Sequence, residues 1–140
     1  LRLVGSEMCI RDRYNSNEIS KLKLLSVALK NLELIIDKKT ALMYICQNDL
    51  IKNNYKKGDS EGIVNYGLTL SGIQFSVIFI EDENEKNKFK ISFRSKEDFP
   101  CNEFASNFFD GGGHLNAAGG IFLGNLNSAI EYFKKSLNEF

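Results

Sequence analysis

The chain has 140 residues, of which 43% are hydrophobic and 26% are charged, a composition that fits one globular domain with an ordinary core. Its 18 basic and 18 acidic residues cancel, which excludes a broad basic surface for long duplex DNA. The apolar run Val77–Ile80 is far too short to cross a bilayer, so we expect no membrane partner. The three cysteines lie far apart without a CxxC spacing, which indicates a reducing cytoplasm rather than a disulfide framework or a zinc site.

The chain divides into three predicted parts. Residues 1–13 do not join the rest by pattern and resemble a translated adapter read-through, so we expect them to be non-native and the chain to be a fragment. Residues 14–36 are predicted to form a linker helix, capped by Asn15, that leads into a domain over residues 37–140. One apolar stripe at spacings of three and four should run along this helix, formed by Ile19, Leu22, Leu25, Leu29, Leu32 and Ile36.

The domain begins with a predicted buried strand at residues 40–46, followed by a short helix and a loop in the polar residues 47–60. Residues 60–72 are ambiguous, because Asp59 or Ser60 can cap a helix while Gly62 and Gly67 weaken it. The sequence therefore leaves this connection open between a helix and a loop.

Two clearer strands follow. Residues 72–81 and 89–95 alternate apolar side chains with others, which predicts one strand in each. The acidic link 82–87 between them predicts a hairpin loop, so the two strands should pair antiparallel. In the second strand, Arg94 should point away from the apolar face that carries Phe93.

The last part of the chain mixes helix and strand. Residues 102–109 predict a short helix, which Gly111 should close by adopting a left-handed conformation. A brief strand is predicted at residues 119–124, and Asn127 or Ser128 should cap a final helix. The order of elements predicts a compact α/β domain: a mixed sheet with an antiparallel hairpin, flanked by helices, with the linker helix at its N-terminus.

The glycines Gly111, Gly112 and Gly113, followed by His114, form the most unusual stretch of the sequence. Consecutive glycines allow a tight bend without side chains, and successive N–H groups in such a bend can form an anion-binding nest. The only histidine of the chain adds a directional donor, and Asn116 can fix a sugar or a base edge. The stretch predicts recognition of a phosphate, with a simple tight turn and a surface histidine as the alternative.

The segment GGGHLNAAGG (Gly111–Gly120), with FRSK (Phe93–Lys96) and NEFA (Asn102–Ala105) upstream, resembles the signature of the DHH-associated C-terminal domain of DHH phosphoesterases. The resemblance runs from about Glu18 to the C-terminus and is greatest to the bacterial nanoRNase and pAp phosphatase branch. Leu115 stands where relatives often carry proline or lysine, which bears only on fine substrate preference.

Carried onto this sequence, the resemblance implies that the three glycines and His114 contact a substrate phosphate through backbone amides and the imidazole. Arg94 matches a basic residue that would hold another phosphate, which suits its planar guanidinium, and Ser95 follows it at the end of the strand. A solvated arginine on an edge strand is the alternative for Arg94, and the role of Lys96 stays open.

The resemblance also implies an activity for the whole polypeptide, namely hydrolysis of short oligoribonucleotides and of 3′-phosphoadenosine 5′-phosphate (pAp). Catalysis would use Mn²⁺ ions in a separate N-terminal DHH lobe. This chain has no Asp-His-His motif, so we expect it to supply substrate-binding residues and no catalytic or metal-binding residue. The acidic run Glu81–Glu85 lacks the spacing of a calcium loop and should be a solvated turn. The implied partners are the substrate, the DHH lobe and a second copy of the chain.

Two other functions stay open. The domain can be a non-catalytic RNA- or nucleotide-binding module of a different multidomain protein, since related domains occur in alanyl-tRNA synthetases and cyclic-dinucleotide phosphodiesterases. It can also be a structural or dimerising domain in which the glycines only make a turn. The gene sequence upstream of Tyr14 would distinguish the phosphoesterase from the binding module.

Overall fold

The computed structural model describes residues 19–140, which form one six-stranded sheet with helices on both faces. The predictions for residues 1–13 and for the cap at Asn15 lie outside the described residues. Helix α1 is described over residues 19–30. The other helices and strands are, in chain order, β1 (Glu33–Ile35), β2 (Thr40–Ile45), α2 (Gln47–Lys52), β3 (Phe75–Glu81), β4 (Lys88–Ser95), α3 (Cys101–Phe108), β5 (Gly112–His114), β6 (Ala117–Leu123) and α4 (Leu126–Glu139).

The strands lie in the order β1-β2-β3-β4-β6-β5. Strands β2 and β3 are parallel, and α2 and a 3-10 segment at Ile63–Thr69 lie in the connection between them. The other neighbouring pairs are antiparallel, including the predicted hairpin of β3 and β4. The predicted mixed α/β class, with its antiparallel hairpin and N-terminal helix, is confirmed.

Alternation along the strands divides the interior into two cores. On one face, Phe75, Phe79 and Phe93 pack against α3 and α4. This aromatic core includes Phe104, whose ring centroid lies 5.2 Å from that of Phe75 and 5.5 Å from that of Phe133. On the other face, a smaller core joins β2 and β3 to α1, α2 and the 3-10 segment through Leu24, Ala28, Met43, Ile45, Leu50, Ile63, Val64 and Ile78.

The linker helix is shorter than predicted. Helix α1 ends at residue 30, and residues Glu33–Ile35 pair with β2 as the edge strand β1 instead of continuing the helix to residue 36. The buried face of α1 carries Leu24 and Ala28, whereas Leu22 of the predicted apolar stripe is 62% exposed. The amide side chain of Asn31 donates to the carbonyl of Tyr44 at 3.0 Å, which fixes the end of α1 against β2.

Two helix ends also differ from the prediction. Asn125, rather than Asn127 or Ser128, caps α4, because its side chain accepts the N–H of Ser128 at 2.8 Å. Asp110, rather than Gly111, takes the left-handed conformation after α3, with φ of 49°. Aspartate tolerates this conformation better than most residues. Glycine is therefore needed at position 111 for a reason other than closing the helix.

Candidate functional site

The register of the sheet places Arg94 and His114 on the same face. Arg94 on β4 is opposite Ala117 on β6, and Ala117 is opposite His114 on β5. Residues directly opposite each other in antiparallel strands project to the same side. Neighbouring strands lie about 4.8 Å apart, so the Cα atoms of Arg94 and His114 are roughly 10 Å apart. The small side chain of Ala117 leaves the space between them open, and we call this line of residues the Arg94–His114 row.

The next row of the same face carries almost no side chains. It consists of Ser92, Gly119 and Gly112, which we call the bare floor. A Cβ atom on Gly112 would have no heavy atom within 4 Å, and one on Gly119 would meet only the carbonyl oxygen of Ile91 at 3.4 Å. A ligand held by the Arg94–His114 row can therefore approach the backbone beside it closely.

Gly111 is required by packing. A Cβ atom at this position would overlap the carbonyl oxygen of Gly119, where the two backbones pass each other. The N–H of Gly111 donates to the carbonyl of Ala105 at 3.1 Å, so this amide is used within the chain. Gly120 is similarly confined, because a Cβ there would lie 2.8 Å from the Cβ of Phe109.

Strand pairing decides where the other two glycine amides point. The two-residue turn at Leu115 and Asn116 makes His114 and Ala117 a hydrogen-bonded pair, and by alternation Gly112 is also in such a pair. The N–H of Gly113 therefore points away from β6, towards the outer edge of the sheet. Of the three predicted glycine amides, this one faces outward.

The guanidinium of Arg94 is partly held by the sheet. Its Nη1 donates to the carbonyl of Phe93 at 2.8 Å and approaches the carbonyl of Ala118 at 3.4 Å. Arginine has five N–H donors in a planar fork, so the donors that do not bind these carbonyls can serve a ligand. The anchoring reduces the rotamer freedom that Arg94 would lose on binding.

Ser95 and Asn116 are brought together, but they bind each other. The side chain of Asn116 donates to the Ser95 hydroxyl at 2.9 Å and to the carbonyl of Glu97 at 3.2 Å. The buried Ser95 hydroxyl in turn donates to the carbonyl of Phe99 at 2.7 Å. Ser95 and Asn116, which we call the hairpin latch, thus fix the β5–β6 turn against the end of β4. The single hydroxyl proton of Ser95 is occupied.

Cys101 lies at the same junction and is a contributor that sequence reasoning missed. Its N–H donates to the carbonyl of Leu115 at 3.0 Å, and its Sγ lies 3.9 Å from the carbonyl oxygen of His114. Burial raises the pKa of the Cys101 thiol, although a hydrogen bond with Ser95 and the charge of Arg94 oppose the shift. The thiol therefore packs as a neutral group that supports the turn.

The bare floor was also missed. Alternation from Arg94 assigns Ser92 to the same face, but the partners Gly119 and Gly112 follow only from the strand register. Lys96, whose role the sequence left open, has an exposed side chain, and its N–H donates to the carbonyl of Gln74 at 2.9 Å. Leu115 is 48% exposed at the tip of the β5–β6 turn.

A cavity of about 410 Å³ lies elsewhere, between α1 and the 3-10 segment. Its lining is mainly apolar, with Leu22, Leu25 and Tyr66, and it includes neither Arg94 nor His114. The cavity is therefore separate from the sheet face that carries the two side chains predicted to bind phosphate. Within residues 19–140, no group of three or more acidic, histidine or cysteine side chains is placed to hold a metal ion. The helices of this part of the chain are all too short or too polar to span a membrane.

Comparisons with known proteins show the family and the fold of the chain. The chain is similar to an exopolyphosphatase-related protein from Bacteroides fragilis, with 41% identity and a TM-score of 0.81 over 86% of this chain and 34% of that protein. It also shares its fold with PggH, a pGpG-specific phosphodiesterase from Vibrio cholerae, with 12% identity and a TM-score of 0.62 over 93% of this chain and 42% of that protein. The comparison with curated proteins gave no match.

The chain thus spans about a third of the length of the Bacteroides fragilis protein. A family model described as the DHHA1 domain matches residues 37–139, which include both the Arg94–His114 row and the bare floor. The match covers well over half of the sequence, and the chain therefore belongs to the DHHA1 domain family.

Proposed function

We propose that this domain is the substrate-binding part of a DHH-family phosphoesterase and binds the phosphates of short oligoribonucleotides and of pAp. The observation that carries the proposal is the Arg94–His114 row, in which two side chains of a kind that can bind phosphate face one open surface across Ala117. The family match supports the class of protein, and the zero net charge fits a ligand with few phosphates.

Each group has a distinct part in binding. The free N–H donors of Arg94 would bind phosphate oxygens in a planar fork, and the exposed imidazole of His114 would donate to the same phosphate or to its neighbour. The outward N–H of Gly113 lies next to His114 and can add a further donor. The bare floor would accept the sugar, because no side chain of Gly112 or Gly119 occupies that space.

Hydrolysis requires groups beyond those described. The described residues offer no cluster that fits a metal ion, so we propose that Mn²⁺ is bound by a companion DHH lobe of the same polypeptide. When bound there, the metal would supply an activated water and neutralise the leaving oxygen. This domain would hold the substrate across the cleft between the lobes. A cytoplasmic location and a homodimer complete the proposal.

The test uses the full-length protein and the variant His114→Ala. We expect binding of pAp and of a dinucleotide to weaken by about tenfold, the effect of one lost charge-assisted hydrogen bond of about 1.5 kcal/mol. Isothermal titration calorimetry measures the binding, and release of mononucleotide measures turnover. Lys135→Ala is the matched control, because Lys135 is an exposed cation on α4, on the opposite side of the sheet. Unchanged binding and turnover in His114→Ala would contradict the proposal.

A non-catalytic nucleotide-binding module is the second candidate function. The groups of the Arg94–His114 row and the bare floor would bind and position a nucleotide, and a binding module would use them for that purpose as a phosphoesterase would. Incubation of the full-length protein with pAp and Mn²⁺ separates the two functions. Release of phosphate supports the phosphoesterase, whereas tight binding without hydrolysis supports the module.

A further inference from the structure

The sheet face that carries the Arg94–His114 row and the bare floor, which we call the ligand face, continues along β4 beyond the row. Lys90 and Lys88 project to the same side as Arg94, because they are four and six residues away on the same strand. Lys90 is exposed, and it lies opposite Ile121 of β6. Positive charge is therefore present at both ends of the bare floor.

The distance along β4 between Arg94 and Lys90 matches the length of several stacked nucleotides. Four residues of a strand span about 13 Å. Nucleotides in a stacked strand rise by about 3.4 Å each, so about four of them cover the distance from Arg94 to Lys90. Proteins that bind single strands combine such spaced cations with surfaces on which the bases rest.

Strand β6 supplies an apolar surface beside the lysines. Ile121 is 42% exposed and Leu123 is 69% exposed, and they lie opposite Lys90 and Lys88. Both side chains project from the ligand face and not from the face that carries the aromatic core. The bases of a nucleic-acid strand whose phosphates follow β4 would cover these two side chains.

Acidic side chains mark the far end of this surface. The carboxylate of Glu85 lies 3.2 Å from the ammonium of Lys88. The N–H groups of Asn84 and Glu85 lower the pKa of Asp82, and the charges of Lys88 and Lys90 lower it further. The Asp82 carboxylate is thus favoured in its charged form and would repel a phosphate beyond Lys90.

We propose that this part of the face, formed by Lys90, Ile121 and Leu123, is a second subsite that holds the further nucleotides of a single-stranded substrate of four or more residues. The inference rests on the proposed function, since the first phosphate must bind at the Arg94–His114 row. The acidic turn closes the subsite and limits the length of strand that the domain accepts.

The test compares a dinucleotide with a pentaribonucleotide in fluorescence anisotropy on the full-length protein. Lys90→Gln should weaken binding of the pentaribonucleotide about two- to fivefold, as expected for an exposed charge. The slope of log affinity against log salt should become shallower by about 0.7, the value for one phosphate contact of a single strand. Binding of the dinucleotide should not change. Lys135→Gln, on the other side of the sheet, should alter neither ligand.

Ile121→Ser tests the apolar part of the subsite with the charge intact, and it should weaken the pentaribonucleotide without changing the salt slope. Unchanged affinity and slope in Lys90→Gln would overturn the subsite, and so would an equal loss for both ligands. Arg94→Ala distinguishes the two proposals. If Arg94→Ala leaves dinucleotide binding intact, the proposed function is wrong and the subsite fails with it. If Arg94→Ala weakens binding of the dinucleotide while Lys90→Gln leaves binding of the pentaribonucleotide unchanged, only the subsite is wrong.

Discussion

Arg94 and His114 face the same side of the sheet from strands that are two positions apart, with only the methyl group of Ala117 between them. Neither residue is near the other in sequence, and the antiparallel register of β4, β6 and β5 brings them together. The guanidinium of Arg94 is already anchored on the carbonyl of Phe93. We therefore expect phosphate binding to depend on the geometry of the Arg94 guanidinium as well as on its charge.

The variant Arg94→Lys should weaken pAp binding by about tenfold, although the charge is kept. An ammonium has no planar fork, so it cannot bind the Phe93 carbonyl and a phosphate with the same fixed geometry. Calorimetry on Arg94→Lys and Arg94→Ala measures the effect. Equal affinities of Arg94→Lys and the unchanged protein would show that charge alone is sufficient.

Gly111 and Gly112 are neighbours in sequence but should respond oppositely to an added methyl group. Gly111→Ala should lower the free energy of unfolding by more than about 2 kcal/mol, because the methyl overlaps the backbone at Gly119. Gly112→Ala should change it by less than about 1 kcal/mol, since nothing occupies the space. Urea unfolding measures both.

A larger side chain at Gly112 extends this comparison to binding. Gly112→Leu should leave the protein folded but weaken dinucleotide binding, because leucine would fill the space above the bare floor. Gly112→Ala is its control. Full binding by Gly112→Leu would place the ligand somewhere other than on this face.

The hairpin latch should show energetic coupling between Ser95 and Asn116. Ser95→Ala and Asn116→Ala should each cost about 1–2 kcal/mol in the free energy of unfolding, because each removes a partner from a half-buried hydrogen bond. The double variant should lose less than the sum, with a coupling of about 1 kcal/mol. Strict additivity in the urea unfolding of the three variants would show that the two side chains act independently.

The β3–β4 turn should depend on pH through Asp82. The lowered pKa of Asp82 means that its stabilising contribution is present above its ordinary value of 3.8 and is lost as pH falls through the lower folded value. Asp82→Asn keeps the acceptor oxygen for Asn84 but removes the titration. Its free energy of unfolding should fall less steeply with pH below about 4 than that of the unchanged protein. Identical slopes would contradict this assignment.

The sequence predicts the central strands well, because their periodicity reflects burial. In β4, the alternation that buries Phe93 also places Arg94 on the opposite face, as predicted. The stretch around Gly112 is different: glycine has little intrinsic preference for a strand, and β5 forms because β6 and the hairpin latch hold it. The same lack of a local signal hides β1, which exists only as a partner of β2.

The relation between strands could not be predicted from periodicity. Nothing in the local pattern states that β6 inserts between β4 and β5, and the bare floor depends on that order. The linker helix shows a similar limit, because Leu22 fits the apolar period but lies outside the contact that Leu24 makes with the sheet. That Ser95 and Asn116 contact the substrate stays a prediction. Their mutual hydrogen bond shows that they stabilise the β5–β6 turn.

Consecutive residues of β4 belong to different tasks, since Phe93 fills the aromatic core while Arg94 meets the ligand face. Under the proposed function, substitutions on one face of β4 would change which molecule is bound without altering the packing of the interior. A library randomised only at positions 90, 92 and 94 should give many folded proteins with altered nucleotide preference, whereas one randomised at 89, 91 and 93 should give few folded proteins at all.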